Sequence, residues 1–478
     1  MAFLFCLKFS LTTSFLYDGL HGADSAIFYI IGKYWAQGSI PYIDLWDHKG
    51  PVIFFINCIG YLLTENKTGV FILQVVSLSV FLYFVFLTFR TRFSQLVSAL
   101  LTLVSLFWLA CSYEGGNLTE EYLLPYLAAA FYFTVKWLDK REITPTDHNP
   151  WQAFLLGFIL GFSLLTRLTN ALSACGVMLA VAIILIVEKR WSNLWRNILF
   201  YLLGFVVIVA PFCIYFATKG ALKEMIFGSF IYNLSFLQST TQHSLFSGYG
   251  LKNLLLFSIM SVNCIGLFLV SVYSFLRDKK HREKSLVWLC SSLLISAWLL
   301  TSNLNSHYRT LVLPFFPILT IELFNLRFCP KFLRYSIIAL LICGPVLITC
   351  KKWFSFVEYF DDRENTHILC SYVENALPDP DDRCFVGYSI NQGLYLDMDI
   401  KPCYPIFSFQ ETQAVKSATL REAILEEFES LKADYVLVQG NKVLIQDILE
   451  AAYIPLPSPK ELPQCRLWVR KDLRDERH

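Results

Sequence analysis

Charged side chains are scarce in this chain: Asp, Glu, Lys and Arg make up 16% of its 478 residues, against about 25% in ordinary soluble domains. Hydrophobic residues reach 55% and the mean hydropathy is +0.49, so water is not the solvent for most of the sequence. Long basic runs are missing too. The formal net charge is only +2, and the basic residues fall in short clusters between apolar runs, which reads as a topology signal and not as a nucleic-acid surface. No Cys-x-x-Cys or His-x-x-x-His spacing occurs, so a structural zinc site is not expected. No internal repeat is evident, which argues against the duplicated architecture of many secondary transporters.

What is present is a series of long apolar segments. A crossing needs about 20 apolar residues at a rise of about 1.5 Å each. Residues 69–89, 95–112, 122–138, 151–165, 171–187, 198–216, 251–275, 285–300, 311–326 and 335–350 are expected spans. Residues 2–17 are shorter and hold Lys8; they are read as an eleventh span, a signal sequence being disfavoured because no small-residue cleavage site follows cleanly. The expected fold class is therefore an α-helical polytopic membrane protein of about eleven transmembrane helices.

The segment 52–63 decides the topology. At about 12 residues it is too short for a core of ~30 Å and suits the interface. If it does not cross, Arg90/Arg92, Lys140/Arg141, Lys189/Arg190/Arg196, Lys279/Lys280/Arg282/Lys284 and Arg327/Lys331/Arg334 all share one face, cytoplasmic by the positive-inside rule. The outer face then receives 18–51, 114–121, 166–170, 218–250, 302–309 and everything after residue 351.

The division expected from hydropathy is a membrane module over 1–350, with a first outer loop at 18–68, and a soluble extracytoplasmic α/β domain over 351–478. In the latter, 379–382 reads as a turn, 383–388 and 435–439 as strands, and 413–433 as an amphipathic helix. Cys370, Cys384, Cys403 and Cys465 are an even set in an oxidising compartment, which admits one or two disulfides with the pairing open.

Polar residues are densest in the first outer loop, from His21 and Asp24 through Tyr29, Lys33, Trp35, Pro41, Tyr42, Asp44, Trp46, Asp47, His48 and Lys49 to Gly50 and Pro51. Ile27, Ile30, Ile31, Tyr34 and Trp35 form the apolar face of a helix that Asp24 opens and Gly38 closes. Asp24 is explained by helix N-capping or by general-base work on an acceptor hydroxyl. The Asp47-His48-Lys49 run offers an acid, a metal ligand and a cation, or else a solvated turn before an interfacial helix.

Farther on, Glu120 and Glu121 suit either acceptor orientation or the dipole at a helix start. Arg167 and Arg309 suit either a phosphate or snorkelling from helix ends. In the loop 218–250, Tyr232, Asn233, Phe236, Gln238, Gln242, His243 and Tyr249 suit a sugar or any interfacial loop.

The Asp24 helix, the run Gly38-x-x-Pro41-Tyr42-x-Asp44-x-Trp46-Asp47-His48-Lys49-Gly50-Pro51 and the non-spanning segment after it resemble the first extracytoplasmic loop of bacterial GT-C glycosyltransferases, the protein mannosyltransferase and aminoarabinose transferase group. The second loop, Glu114-Gly-Gly-Asn117-Leu-Thr-Glu120-Glu121-Tyr122, and Ser306-His307-Tyr308-Arg309 with Pro314 resemble it also. The likeness covers about 18–350 and implies transfer of a sugar from a polyprenyl-phosphate carrier at the outer face of the cytoplasmic membrane.

By that resemblance Asp24 is the catalytic base and Lys49 meets the lipid phosphate; from the residues themselves Asp47 is a second catalytic candidate, and Arg167 and Arg309 join Lys49 as candidates for the donor phosphate, because a cation at the interface stabilises the charge of the departing group. His48, Glu120, Glu121, His307 and Tyr308 are then acceptor or metal candidates. The family's acidic-Lys-Pro element is altered here by His48 and the inserted Gly50, and Ser25 replaces the second acid of its frequent Asp-Glu pair. A divalent metal ion is thus an open question and no other cofactor is expected. The partners implied are the lipid-linked sugar, the bilayer and an envelope glycan, lipid or protein acceptor, with no nucleic acid. A flippase or transporter of lipid-linked glycan, an O-antigen polymerase or ligase, and a non-catalytic subunit are the rival readings.

Overall fold

The structure is a computed structural model; it describes residues 1–18, 23–234, 261–301, 306–326, 330–353, 357–376, 384–440 and 443–475. His21, Phe236, Gln238, Gln242, His243, Tyr249, Arg327, the 379–382 turn and the first residues of the 251–275 span lie outside the described residues.

The chain is an α-helical polytopic membrane protein with a small sheet near its C-terminal end. Five described helices are long and apolar enough to cross a bilayer: Lys67–Arg90, Gln95–Ser112, Leu168–Val187, Trp191–Thr218 and Lys279–Leu300. Shorter apolar helices occupy Pro150–Leu164, Val262–Arg277, Phe315–Asn325 and Arg334–Cys350. On Trp191–Thr218, Leu199 and Ile214 are 64% and 63% exposed, a surface that lipid tolerates and water does not.

The first expected span is not a long helix. It is helical only over Ala2–Phe9, about 12 Å at the usual rise. Beyond it Ser14 N–H donates to the Ser10 carbonyl, and Leu16 N–H to Ser14 Oγ at 3.3 Å. Hydroxyl side chains there compete for backbone donors and favour turns over helix.

The described residues form two compact units. One unit takes in Met1–Phe9, Ile72–Ile214 and the described part of 241–355. Its helices meet through small residues. A Cβ on Gly157 would strike the Tyr201 carbonyl, and one on Gly204 the Phe154 carbonyl. Such reciprocal close approach is how helices gain packing where lipid supplies no hydrophobic drive between them.

The other unit takes in Ser10–Phe71, the described part of 215–240 and that of 356–478. In it the first-loop helix Ala23–Ala36 packs on Pro51–Thr64, with Gly32 so close to Asn57 that a Cβ would sit 2.5 Å from the Asn57 Cβ. At 14 residues Pro51–Thr64 spans about 21 Å, short of a bilayer core, as its sequence predicts.

The sheet of this unit comprises β1 (Phe385–Tyr388), β2 (Tyr435–Gln439), β3 (Tyr453–Pro455) and β4 (Cys465–Arg470) in the order β1-β2-β4-β3, with β1 and β2 parallel and the other pairs antiparallel. The helix expected over 413–433 is two helices, Gln410–Lys416 and Ala418–Glu429. Ser417 divides them: it caps the second, its hydroxyl accepting from Leu420 N–H at 3.3 Å. Of the four candidate cysteines, Cys384 and Cys403 form a disulfide, while Cys370 and Cys465 are free and buried.

Candidate active site

The ten predicted site residues fall into two groups, one in each unit. In the first-loop group Asp24 stands in the first turn of Ala23–Ala36, where the helix dipole favours a carboxylate. Its side chain is 33% exposed, and Oδ2 lies 3.9 Å from Lys49 Nζ. The carboxylate and the ammonium, 25 positions apart in the sequence, are therefore neighbours.

The turn carrying Lys49 is fixed by its own polar groups. Asp47 is buried, and its Oδ1 accepts the Lys49 backbone N–H at 3.0 Å. Its Oδ2 lies 3.5 Å from His48 Nδ1. Burial alone would raise the Asp47 pKa, but His48, and then Lys49 with its N–H, favour the charged form and hold it below the ordinary carboxylate range. His48 Nε2 in turn lies 3.2 Å from Lys49 Nζ. Asp47 thus works within the turn, and its charge serves to orient His48 and Lys49.

Neighbouring elements hold both carbonyls of that turn. Tyr42 Oη donates to Lys49 O at 2.7 Å, and Asn233 Nδ2 to His48 O at 2.7 Å. Tyr42 itself adopts a left-handed φ of 71°, in a tight turn where Asp44 Oδ2 accepts the Ile40 N–H at 2.6 Å. Trp46 N–H donates to the Pro405 carbonyl at 2.9 Å. The sequence reading took Asn233 as suited to a sugar or to any interfacial loop, not as a partner of the Lys49 turn, and gave Pro405 no part. Contacts across so many residues leave no local signature in the chain.

Beside this turn a cavity of about 760 Å³ is lined by Tyr42, Trp46, Phe227, Ile406, Leu420 and Glu427, among others. Burial pushes the Glu427 carboxyl up to about 7.

The second group gathers at the start of Thr119–Arg141. Glu121, fully enclosed, accepts from Gln74 Nε2 at 3.1 Å, Tyr113 Oη at 2.9 Å and Asn117 N–H at 2.8 Å. Glu120 Oε1 lies 3.6 Å from Arg167 Nη1, and its Oε2 accepts from Thr119 Oγ1 at 2.9 Å. The Arg167 guanidinium stacks on Tyr308, 3.7 Å from the ring centroid. His307 Nδ1 lies 2.6 Å from Glu114 Oε2, and Arg309 is 6% exposed. Gly115, Gly116 and Asn117 all have positive φ; the Gly-Gly-Asn sequence lets the chain bring Asn117 N–H to the Glu121 carboxylate.

Gln74 and Tyr113 were missed from sequence because each lies in or beside an apolar span. Among the described residues no three His, Cys, Asp or Glu side chains gather as a metal site. His48 Nε2 faces an ammonium, which is not the setting of a metal ligand.

Residues 48–216 match the family model of the dolichyl-phosphate-mannose-protein mannosyltransferases. Among solved structures, ArnT from Cupriavidus metallidurans bound to undecaprenyl phosphate superposes with a TM-score of 0.59 at 12% identity, over 98% of this chain and 96% of that one. The apo form of the same protein gives 0.57 at 10% identity, over 97% and 96%. The apo oligosaccharyltransferase of Archaeoglobus fulgidus gives 0.52 at 13%, over 91% of this chain and 68% of that one. No curated protein matches the sequence.

These likenesses define the class: a multi-pass membrane protein of GT-C fold. Within it, the chain is similar to the protein mannosyltransferases and the aminoarabinose transferase ArnT.

Proposed function

We propose that the protein is a glycosyltransferase that moves a sugar from a polyprenyl-phosphate donor to an envelope acceptor at the outer face of the cytoplasmic membrane. The observation that carries this reading is the Asp24–Lys49 pair, 3.9 Å apart, with the carboxylate one-third exposed. Asp24 takes the proton of an acceptor hydroxyl, whose oxygen forms the bond to the anomeric carbon while the bond to the polyprenyl phosphate oxygen breaks. The departing phosphate gains negative charge as it leaves, and the Lys49 ammonium stabilises it. Asp47 and His48 position that lysine.

Arg167 and Arg309, in the other unit, are proposed as anion-binding cations in their own right; Arg167 there meets Glu120 and Tyr308. The Cys384–Cys403 disulfide supports an oxidising, extracytoplasmic setting for the C-terminal domain. The cavity beside Trp46 offers apolar room for an acceptor.

The test is transfer of radiolabelled sugar from polyprenyl-phosphate donors to envelope fractions by purified protein. Label should move with the wild type and stay on the carrier with Asp24→Asn. Transfer by that variant at the wild-type rate removes the assignment.

A further inference from the structure

The helix Ala418–Glu429 carries Leu420, Ala423 and Glu427 at the i, i+3, i+7 spacing that shares one helix face. All three line the cavity of about 760 Å³. Its other walls include two stretches remote in sequence, with Tyr42 and Trp46 from the first loop and Glu224 and Phe227 from the segment after residue 215. Gly228 lets that segment approach the loop: a Cβ there would stand 3.0 Å from Tyr42 Cδ1 and 3.3 Å from Trp46 Nε1.

Two acids in this apolar lining keep an oxygen unused. Glu427 Oε2 and Glu224 Oε2 are enclosed and meet no hydrogen-bond partner among the described residues. A buried acceptor left bare is costly, and native folds rarely carry one without a use. The basic residue of the lining, Lys223, is exposed. Burial pushes the Glu427 carboxyl up to about 7, against a backbone hydrogen bond at Ile406 and the charge of Lys432. A carboxyl that is partly protonated at neutral pH both donates to and accepts from a hydroxyl.

The lining narrows the choice of ligand. Water would satisfy the two oxygens and wet the apolar walls, whereas a purely apolar molecule would do the reverse. An anionic head such as a phosphate would meet two carboxyls. A neutral head of hydroxyl groups on an apolar chain suits both the walls and the acids.

We propose that the cavity binds a neutral, hydroxyl-headed amphiphile, with its chain against Trp46, Phe227 and Leu420 and its hydroxyls on Glu224 and Glu427. This ligand class is the acceptor. The inference rests on the reading that sugar is transferred at the neighbouring turn, and Tyr42 joins the two places: it lines the cavity, and its hydroxyl holds the Lys49 carbonyl. A sugar or polyol head has hydroxyls to spare for Asp24.

The test is photolabelling of the purified full-length chain in nanodiscs by hexyl β-D-glucoside with a diazirine in its chain, read by peptide mass spectrometry. Label should fall on the peptides holding Trp46, Phe227 or Leu420, and unlabelled hexyl glucoside should displace it. Hexyl phosphate and free glucose should each compete at least about tenfold less well, the scale of one buried polar contact or a few buried methylenes. Ala423→Phe, which fills the cavity from a half-buried position, should lower labelling about tenfold. Glu427→Leu should do the same, and Glu427→Gln, which keeps one acceptor, should recover part of it. In transfer assays Ala423→Phe should raise the KM for hexyl glucoside and leave that for the polyprenyl-phosphate donor unchanged.

Label spread over lipid-facing helices, or displaced as well by hexyl phosphate, overturns the cavity's ligand class. Specific labelling beside wild-type transfer in Ala423→Phe overturns the acceptor role and leaves the proposed function standing. Specific labelling by a wild type that transfers sugar from no polyprenyl-phosphate donor overturns the proposed function and the acceptor role together.

Discussion

The two acidic clusters use the same side chains to opposite ends. At the first loop Asp24 is partly open, with an ammonium 3.9 Å away; at the second, Glu121 is sealed and accepts three hydrogen bonds. A carboxylate with spare lone pairs at a surface can take a proton from a ligand. One saturated by protein donors holds a turn together instead. The position of an acid in a loop says little about which of the two it will be; the number of donors around it decides.

Asp24→Asn breaks the comparison most sharply. It should lower sugar transfer by about a thousandfold or more without moving the thermal unfolding midpoint, and a rate within tenfold of wild type would put Asp24 with the structural acids. Glu121→Ala should do the reverse. Leaving Gln74, Tyr113 and Asn117 without their acceptor costs roughly 3 kcal/mol, measurable as a lower melting temperature in detergent; a variant as stable as wild type would show the cluster is not structural.

Lys49→Ala should raise the apparent KM for the lipid donor by about tenfold, and an unchanged KM would detach the lysine from the phosphate. For Asp47 the contrast is in pH. Its pKa is depressed in the fold, so its contribution to stability is fully present above the unfolded value of about 4 and is lost as pH falls through the lower folded value. The melting difference between wild type and Asp47→Asn should therefore narrow on acidification, and a constant difference would count against a charged, hydrogen-bonded Asp47. The smallest effect belongs to Lys33–Asp399. Its aspartate is 80% exposed, so Asp399→Ala should change stability by less than about 1 kcal/mol.

Hydropathy made most of the membrane helices legible, because a bilayer demands long apolar runs whatever the topology. The first loop was legible for a different reason: a short apolar segment among clustered charges stands out against lipid-facing sequence. What escaped detection depends on non-local contacts. The Cys384–Cys403 pairing was one of several possible. The short strands Tyr453–Pro455 and Cys465–Arg470 gain their place only by pairing with each other and with β2. The break at Ser417 overrode an apolar periodicity that runs through it. Residues 399–405 could not be tied to residues 33–46, some 360 positions earlier, from any local pattern.

The Trp46–Pro405 hydrogen bond joins main chain to main chain. Such a seam is blind to side-chain identity, so an alanine scan of the loop would pass over it and sequences could drift at both positions while the docking persists. Proline at position 46, by deleting the N–H, is the substitution that would expose it.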